Sequence, residues 1–376
     1  MYLSDQSPRR HRPGALCTAT IFAAATLLSI AFAGCGRNSG EKTDGIKSPG
    51  ATPPAANATG DSGSAPSKLR VALVMSGPRS DNGWNSSAAK ALEAIKTELA
   101  VPEEDVKSVD NQKDATSQAK SLEDFAAKKF NLVFGHGTEY EAAALKIESN
   151  FPNTMFVISS GSKVGKNTMP IIFRLEDGAY LEGMLAAGLS KTGKIGCVGA
   201  TKEAPLERIF AAFERGAKVI NPKIEVIPPT YTGDWDDANK AKQQALALLN
   251  QGADVIMQDV DSAAKGVFTA VQEFNKSHMG AAWALGTNGD QNAVAPDVVV
   301  ASAPIYTDKA FVAIAKQAKA GTLKANDTPF GMKDGVIDFI VNPALKSKIS
   351  VQLLSDIEST RKSIIDGSID VLKEKQ

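Results

Sequence analysis

Three cysteines and three histidines among 376 residues are too few for a disulfide scaffold or a multi-ligand zinc site. An excess of charge of one sign is also missing, because 42 Lys plus Arg balance 42 Asp plus Glu. Such a chain has no electrostatic footprint for nucleic acid, and no nucleic-acid partner is expected. Aromatic residues make up only 6% of it. A nucleophile elbow of the form G-x-S-x-G is absent, and after the first 34 residues the only histidines are His136 and His278. Catalysis by a serine or cysteine with a base and an orienting group therefore has little to work with. A carboxylate base stays open, since Asp and Glu are plentiful. No cofactor, metal site or catalytic set is expected. Length is what the chain has in quantity, enough for two lobes of ordinary size and too much for one compact domain.

The zero charge is a sum over unlike parts. Residues 1–34 carry Arg9, Arg10 and Arg12 against Asp5, so they contribute +2 and the remainder −2. An apolar run from Ala15 to Ala33 follows, closing on Ala31-Phe32-Ala33-Gly34-Cys35. A charged start, an apolar middle and small residues before a cut site describe a secretory signal. The cysteine after the small pair makes the end resemble a bacterial lipobox, with Cys35 as the lipidated new N-terminus and Phe32 where Leu is usual. The competing reading is an uncleaved anchor, because 19 residues from Ala15 to Ala33 nearly span a bilayer. Under either reading the bulk of the chain is exported and held at a membrane, facing the periplasm or the outside. His11-Arg12 after Arg9-Arg10 does not suit a twin-arginine signal. Residues 35–67 then read as a tether of Gly, Ser, Pro, Thr and Ala that cannot bury enough surface to order itself. Its end-to-end reach is on the order of 30 Å.

From Leu69 onward short apolar runs alternate with helical spacing. Arg70–Met75 reads as a strand, and Ala88, Ala91, Leu92, Ile95 and Leu99 mark one helix face. Strands are expected at Asn131–Phe134, Met155–Ser159, Pro170–Leu175, Lys194–Val198, Ile224–Ile227, Ala253–Met257 and Ala282–Gly286, with helices between them. Cys197 lies inside one of these runs and reads as a small buried hydrophobe. Continuous apolar strands alternating with amphipathic helices imply α/β architecture with parallel sheets covered on both faces. About a dozen strands are too many for one such sheet, so two doubly wound lobes are expected.

In sheets of this kind ligands sit beyond the carboxyl ends of the strands. The loops expected there are Ser76–Asn85, Gly135–Tyr140, Ser159–Gly165, Thr230–Asp237, Asp259–Ala264 and Thr287–Gln291. Trp84 and Trp235 fall in two of them, one per half, where two rings across a cleft would sandwich a flat ligand. The bland alternative is that each caps its own lobe's core, and Trp283, within a strand, reads as core. Gly161-Ser-Lys-Val-Gly165-Lys166-Asn167 is one residue short of a phosphate loop and has Asn at the metal-binding place, so it reads as an ordinary turn. His136, between glycines at a strand end, could read a base edge or cap the next helix. Ser159 and Ser160 could line a cleft, and Asp259 and Asp261 either touch ligand or cap a helix.

Several segments together, in order and spacing, resemble the basic membrane lipoprotein family of solute-binding proteins. They are Asp81-Asn-Gly-Trp-Asn-Ser-Ser87, Phe134-Gly-His-Gly-Thr-Glu-Tyr140, Tyr180-Leu-Glu-Gly-Met-Leu-Ala-Ala187, Phe213-Glu-Arg-Gly-Ala-Lys218, Tyr231-Thr-Gly-Asp-Trp-Asp-Asp237, Gly252-Ala-Asp-Val-Ile256 and Gly286-Thr-Asn-Gly-Asp-Gln291. The family includes purine-nucleoside receptors of ABC importers, and the resemblance covers most of residues 69–376. It implies the type I periplasmic-binding-protein fold, two lobes joined by three crossovers around a cleft. It places Trp84 and Trp235 where the family's nucleoside binders have two stacking Phe, with Asp81 and Asn85 flanking the first ring. Asn288 stands where the family has an acid for the ribose hydroxyls, Asp290 keeps the second acid, and Ile305 replaces a lysine. An amide accepts with one oxygen where a carboxylate accepts with two, so a free nucleobase or another flat heterocycle suits the site at least as well as a nucleoside.

The resulting expectation is a lipid-anchored monomer that captures a nucleoside or nucleobase, closes on it and docks on an ABC permease. Its ligand-binding residues would be Asp81, Trp84, Asn85, His136, Ser159, Trp235, Asp261, Asn288 and Asp290. The first lobe would span 68–176 plus 305–328 and the second 177–304 plus 329–376. A sensor of the same fold signalling to a membrane receptor is the alternative, and a carboxylate-dependent nucleoside hydrolase a further one.

Overall fold

The computed structural model describes residues 68–373 apart from Asn82 and residues 279–281. The expected signal peptide (1–34), the lipidated Cys35 and the tether (35–67) lie outside the described residues. The chain begins with β1 (Val71–Met75), α1 (Trp84–Glu98), β2 (Val106–Val109), α2 (Ala115–Ala127), β3 (Leu132–His136), α3 (Glu141–Ile147), β4 (Met155–Ser159) and β5 (Thr168–Phe173). It continues through α4 (Leu175–Leu189), β6 (Lys194–Gly199), α5 (Ala204–Ile220), β7 (Glu225–Val226), β8 (Thr230–Tyr231) and α6 (Ala238–Asn250). Next come β9 (Val255–Asp259), α7 (Ala264–Ser277), β10 (Trp283–Asn288), β11 (Val299–Pro304) and α8 (Thr307–Lys319). The last elements are β12 (Thr328–Phe330), β13 (Ile340–Val341) and α9 (Val351–Ile365).

Two sheets result, one in each lobe. The first has the order β12-β5-β4-β3-β1-β2 and the second β13-β11-β10-β9-β6-β7, with β8 also pairing β6. Neighbours run parallel except β13, which lies antiparallel to β11. The burial of β1 explains its unbroken apolar sequence. Val71, Leu73 and Met75 enter the core shared with Ala88, Leu92 and Ile95 of α1. Ala72 and Val74 enter the opposite core with Leu122 and Ala126 of α2. Both faces are covered, so neither can be polar. In the second sheet Cys197 follows the same rule, fully buried beside Ile195, Val255 and Met257, and burial pushes its thiol well above the ordinary range. Helix starts are fixed locally as well. Asp114 accepts from the amides of Thr116 and Ser117, and Asp237 from those of Asn239 and Lys240.

Helices α4 and α5 approach more closely than side chains would allow. A methyl group on Gly183 would lie 1.9 Å from the carbonyl oxygen of Phe213, and one on Gly216 1.9 Å from that of Tyr180. The two glycines face each other's helix reciprocally, and nearly all of α4 is buried between α5 and the elements on its other side.

Three segments cross between the sheets: Phe173–Leu175, Pro304–Thr307 and the stretch after Phe330. The third is bonded to both of the others. The Arg174 amide donates to Phe330 O (2.9 Å), and the Met332 amide donates to Asp177 Oδ2 (3.1 Å). On the other side the Tyr306 amide donates to Val336 O (2.7 Å) and the Asp338 amide to Pro304 O (3.2 Å). An antiparallel bridge joins Ile305 to Ile337 between those bonds.

Three sequence expectations need adjusting. A lobe boundary between 328 and 329 would cut β12, whose Thr328, Pro329 and Phe330 pair with Ile171, Ile172 and Phe173, so the first lobe continues to Phe330. Strand β3 runs two residues past Phe134, because Gly135 and His136 pair with both β1 and β4. Finally, Thr230 and Tyr231 are a short strand, Trp84 is already helical, and Asn288 ends β10.

Candidate ligand-binding cleft

The loops at the carboxyl ends of the two sheets meet around a cavity of about 580 Å³, a size suited to a small molecule. Trp84 lines it from the first lobe and Trp235 from the second, and each is half-buried. Lys113 of the first lobe reaches Asp236 of the second at 3.1 Å, a direct contact across the opening. Both side chains are exposed, so the pair is worth little energetically.

Trp84 is held from below. Its ring stacks on the His136 ring with centroids 4.0 Å apart and planes 19° from parallel, and Phe173 meets it edge-on at 5.7 Å. One indole face is thereby covered, which leaves the other for a ligand. Its loop is shaped by Asp81, which accepts from the amides of Gly83 (2.9 Å), Asn85 (2.7 Å) and Ser86 (2.8 Å) and from Asn85 Nδ2 (2.9 Å). Asn85 Oδ1 in turn accepts from the Gly77 amide at 3.3 Å. Asp81 thus supplies the cap that Gly83 cannot give α1. Asp81 and Asn85 touch the cavity, but their polar atoms are engaged within the loop.

His136 and Ser159 do not reach the cavity, contrary to the sequence expectation. Both are fully buried, at 0% exposure. Ser159 Oγ–H donates to His136 Nδ1 (2.9 Å), and His136 Nε2–H donates to the Trp84 carbonyl (3.0 Å). A carbonyl can only accept, so the partners fix the neutral Nε2–H tautomer. The Trp84 indole N–H returns a bond to His136 O at 3.4 Å. Burial lowers the His136 pKa to about 4. The unfolded chain takes up this proton near pH 6.5 and the folded chain only near 4, so stability falls as pH drops through that window. The cost amounts to about 3 kcal/mol by pH 4. In His136→Gln that contribution is gone, and the gap in melting temperature between wild type and variant should narrow from pH 7 to pH 4. A gap constant with pH would show that His136 titrates normally.

Asp290 is also outside the cavity. It is exposed, and its Oδ1 accepts from the Asn292 amide at 3.1 Å within a turn. Ile305 is 4% exposed and joins the core, so no cation stands in its place.

The second lobe contributes a carboxylate pair instead. Asn288 Nδ2 donates to Asp259 Oδ1 (2.9 Å) and Asp261 Oδ1 (3.1 Å). Burial raises Asp259 to about 7, Asn288 working against it and Glu203 adding to it. Asp261 is pushed well up by burial and then by the charges of Asp259 and Asp81. Three cavity residues hold left-handed backbone: Ser160 (φ 56°), Asp261 (φ 46°) and Asn288 (φ 63°). Such strain, costing of order 1–3 kcal/mol each, collects where side chains are aimed at a ligand. Glu139 of the first lobe and Glu203 of the second line the cavity as well. Neither was singled out from sequence. Glu139 lay inside a quoted motif, and Glu203 lies just after β6, where the rule about carboxyl ends of strands points.

A family model for PnrA-like ABC-transporter substrate-binding proteins matches residues 68–375. The chain belongs to this family. Its relatives include basic membrane protein D of Borreliella burgdorferi strain JD1, 28% identical over 311 residues, 81% of this chain and 88% of that one. A purine-binding protein of Brucella abortus strain 2308 is 28% identical over 285 residues, 74% of this chain and 77% of that one. The fold matches an ABC-transporter solute-binding protein from Aeropyrum pernix K1 with a TM-score of 0.71 at 20% identity, covering 80% of this chain and 92% of that one. This is the two-lobed periplasmic-binding-protein fold. The solute-binding family to which the chain belongs works by capture, and its partners are a small molecule and a permease. Among the described residues no helix is long and apolar enough to cross a membrane.

Proposed function

We propose that this solute-binding protein captures a purine nucleoside, a nucleobase or a similar flat heterocycle and presents it to an ABC permease. The observation that carries the reading is the pair of indoles, Trp84 and Trp235, brought to one cavity from opposite lobes. Stacking contributes about 1–3 kcal/mol per base and tolerates any flat ring. The purine-binding relative from Brucella abortus supports a purine as the ring. Asn288 and the buried Ile305 leave the sugar end less demanding than the ring end. Ligand binding shifts the lobes toward the closed state, in which Lys113 and Asp236 meet.

Mass spectrometry of solute released from purified protein tests the reading directly, together with a thermal-shift screen of purine bases, nucleosides and sugars. A purine should co-purify or raise the melting temperature. A sugar stabilising the protein while every purine fails would overturn it, and so would turnover of a bound nucleoside. We also propose that Cys35 is lipidated and holds the protein at the cell membrane outside the cytoplasm, on the strength of the signal and cysteine in residues 1–35. Metabolic labelling with a radioactive fatty acid should mark the wild type and leave Cys35→Ser unlabelled. Equal labelling of both would reject it.

A further inference from the structure

Pairing each charged group of the cavity with its partners leaves a surplus of acidic groups over basic ones. Asp81 is saturated by four donors of its own loop. Asp234 accepts from the amides of Asp236 and Asp237, and Asp236 takes Lys113. Lys113 is the one basic side chain among the described residues lining the cavity, and it is used at the rim. Glu139 and Glu203 line the cavity from exposed positions, Glu203 accepting from Thr201 Oγ1, while Asp261 is half-buried and Asp259 buried, and no other basic side chain lines the cavity beside any of the four. Asp259 is 3% exposed, and apart from the Asn288 bond its carboxylate has no protein donor among the described residues. Asp261 depends on the same amide nitrogen. One neutral NH₂ group therefore serves two carboxylates, which it can hydrogen-bond but cannot neutralise.

The aromatic groups add to this field. An indole presents a negative face and attracts cations more strongly than other rings. Two indoles beside unpaired carboxylates form the combination that holds an organic cation. No set of three or more His, Cys, Asp or Glu among the described residues is arranged for a metal ion.

We propose that the solute is a flat organic cation, stacked by Trp84 and Trp235 with its positive charge against Asp259 and Asp261. The inference rests on the reading of the cleft as a stacking site for a heterocycle and adds the sign of its charge. The charged groups acting on the pair are Asp81, Glu203 and Asp236, and Glu182 lies near Asp259 from α4. All are acidic. Burial pushes Glu182 well above the usual carboxylate range, and neither of its oxygens has a protein partner among the described residues. An entering cation favours the ionised carboxylates, so affinity weakens as pH falls from neutral into the acid range.

Calorimetric titration of the purified protein with two matched pairs, each differing by one N-methyl group and a positive charge, tests the charge on a common ring. The pairs are 1-methyladenosine, a cation at neutral pH, against adenosine, and 1-methylnicotinamide, a permanent cation, against nicotinamide. In at least one pair the cation should bind about tenfold tighter or more, within the range of desolvated cation–π contacts. Asp259→Asn with Asp261→Asn should erase most of that preference, and added salt should reduce it. Tight adenosine binding with no gain for either cation would overturn the charge and leave the purine reading standing. A preference for 1-methylnicotinamide with both adenosines refused would uphold the charge and overturn the purine. No binding by any of the four would overturn both.

Discussion

Replacing Trp235 with alanine lowers affinity for the cleft's solute by roughly one to two orders of magnitude, from the range measured for ring stacking. Trp84→Ala has an effect of the same size on binding and an additional one on stability. The difference follows from what lies behind each ring. Trp84 rests on His136 and Phe173, so its removal also opens a void over a buried, neutral histidine. Trp235 also packs against buried hydrophobic residues, but no ring stacks on it among the described residues, and its carbonyl keeps the bond from the Ala263 amide without the indole. Titration of each alanine variant beside its phenylalanine counterpart separates the two effects. The phenylalanine forms should recover most of the affinity, since a smaller ring still stacks. Unchanged affinity in both alanine variants would remove the stacking site.

The second large effect concerns stability. Gly183→Ala or Gly216→Ala places a methyl group 1.9 Å from a carbonyl oxygen of the facing helix. Backbone cannot yield as a side-chain tip can, so α4 and α5 must separate along their whole contact. The cost is about 3–5 kcal/mol, at the upper end for overpacking. A drop in melting temperature on the order of 10 °C is expected, with solute affinity little changed in whatever remains folded. A shift no larger than that of an alanine placed on an exposed helix face would show that the helices pack less closely. Both glycines lie in segments that make the chain resemble its family, Tyr180–Ala187 and Phe213–Lys218. Those segments serve helix packing, and none of their residues lines the cavity.

The alternation of strands and helices was legible because burial on both sheet faces leaves no freedom in β1 or β6. The tryptophans were legible because a large ring in a strand-end loop is conspicuous twice over. The polar residues of the cleft were harder. His136 looked like a ligand because a polar residue beside glycines resembles a loop. In fact it ends a paired strand, and its two nitrogens are used inside the fold. Asp290 kept the family's acid by position, yet the left-handed turn at Asn288 directs the chain away from the cavity before Asp290 is reached. Glu203 went unseen because the loop after β6 carries no aromatic and no glycine pair. Only the pairing of β6 inside the second sheet brings that loop to the cavity. Which carboxylates share a partner depends on distances between loops far apart in sequence, such as Asn288 to Asp259 and Asp261, and local sequence holds no record of those.

The third crossover has a mechanical consequence. Because residues 330–338 are bonded to Arg174 and Asp177 on one side and to Pro304 and Tyr306 on the other, the three connections form a single strap. Three independent strings would let the lobes twist and slide as well as fold together. A strap bends about one line, so the same loops arrive opposite each other on every closure. Trp84 and Trp235 then need no contact of their own to find their register, and the exposed Lys113–Asp236 pair is not required to set it. The precision of the jaws is set at the joint.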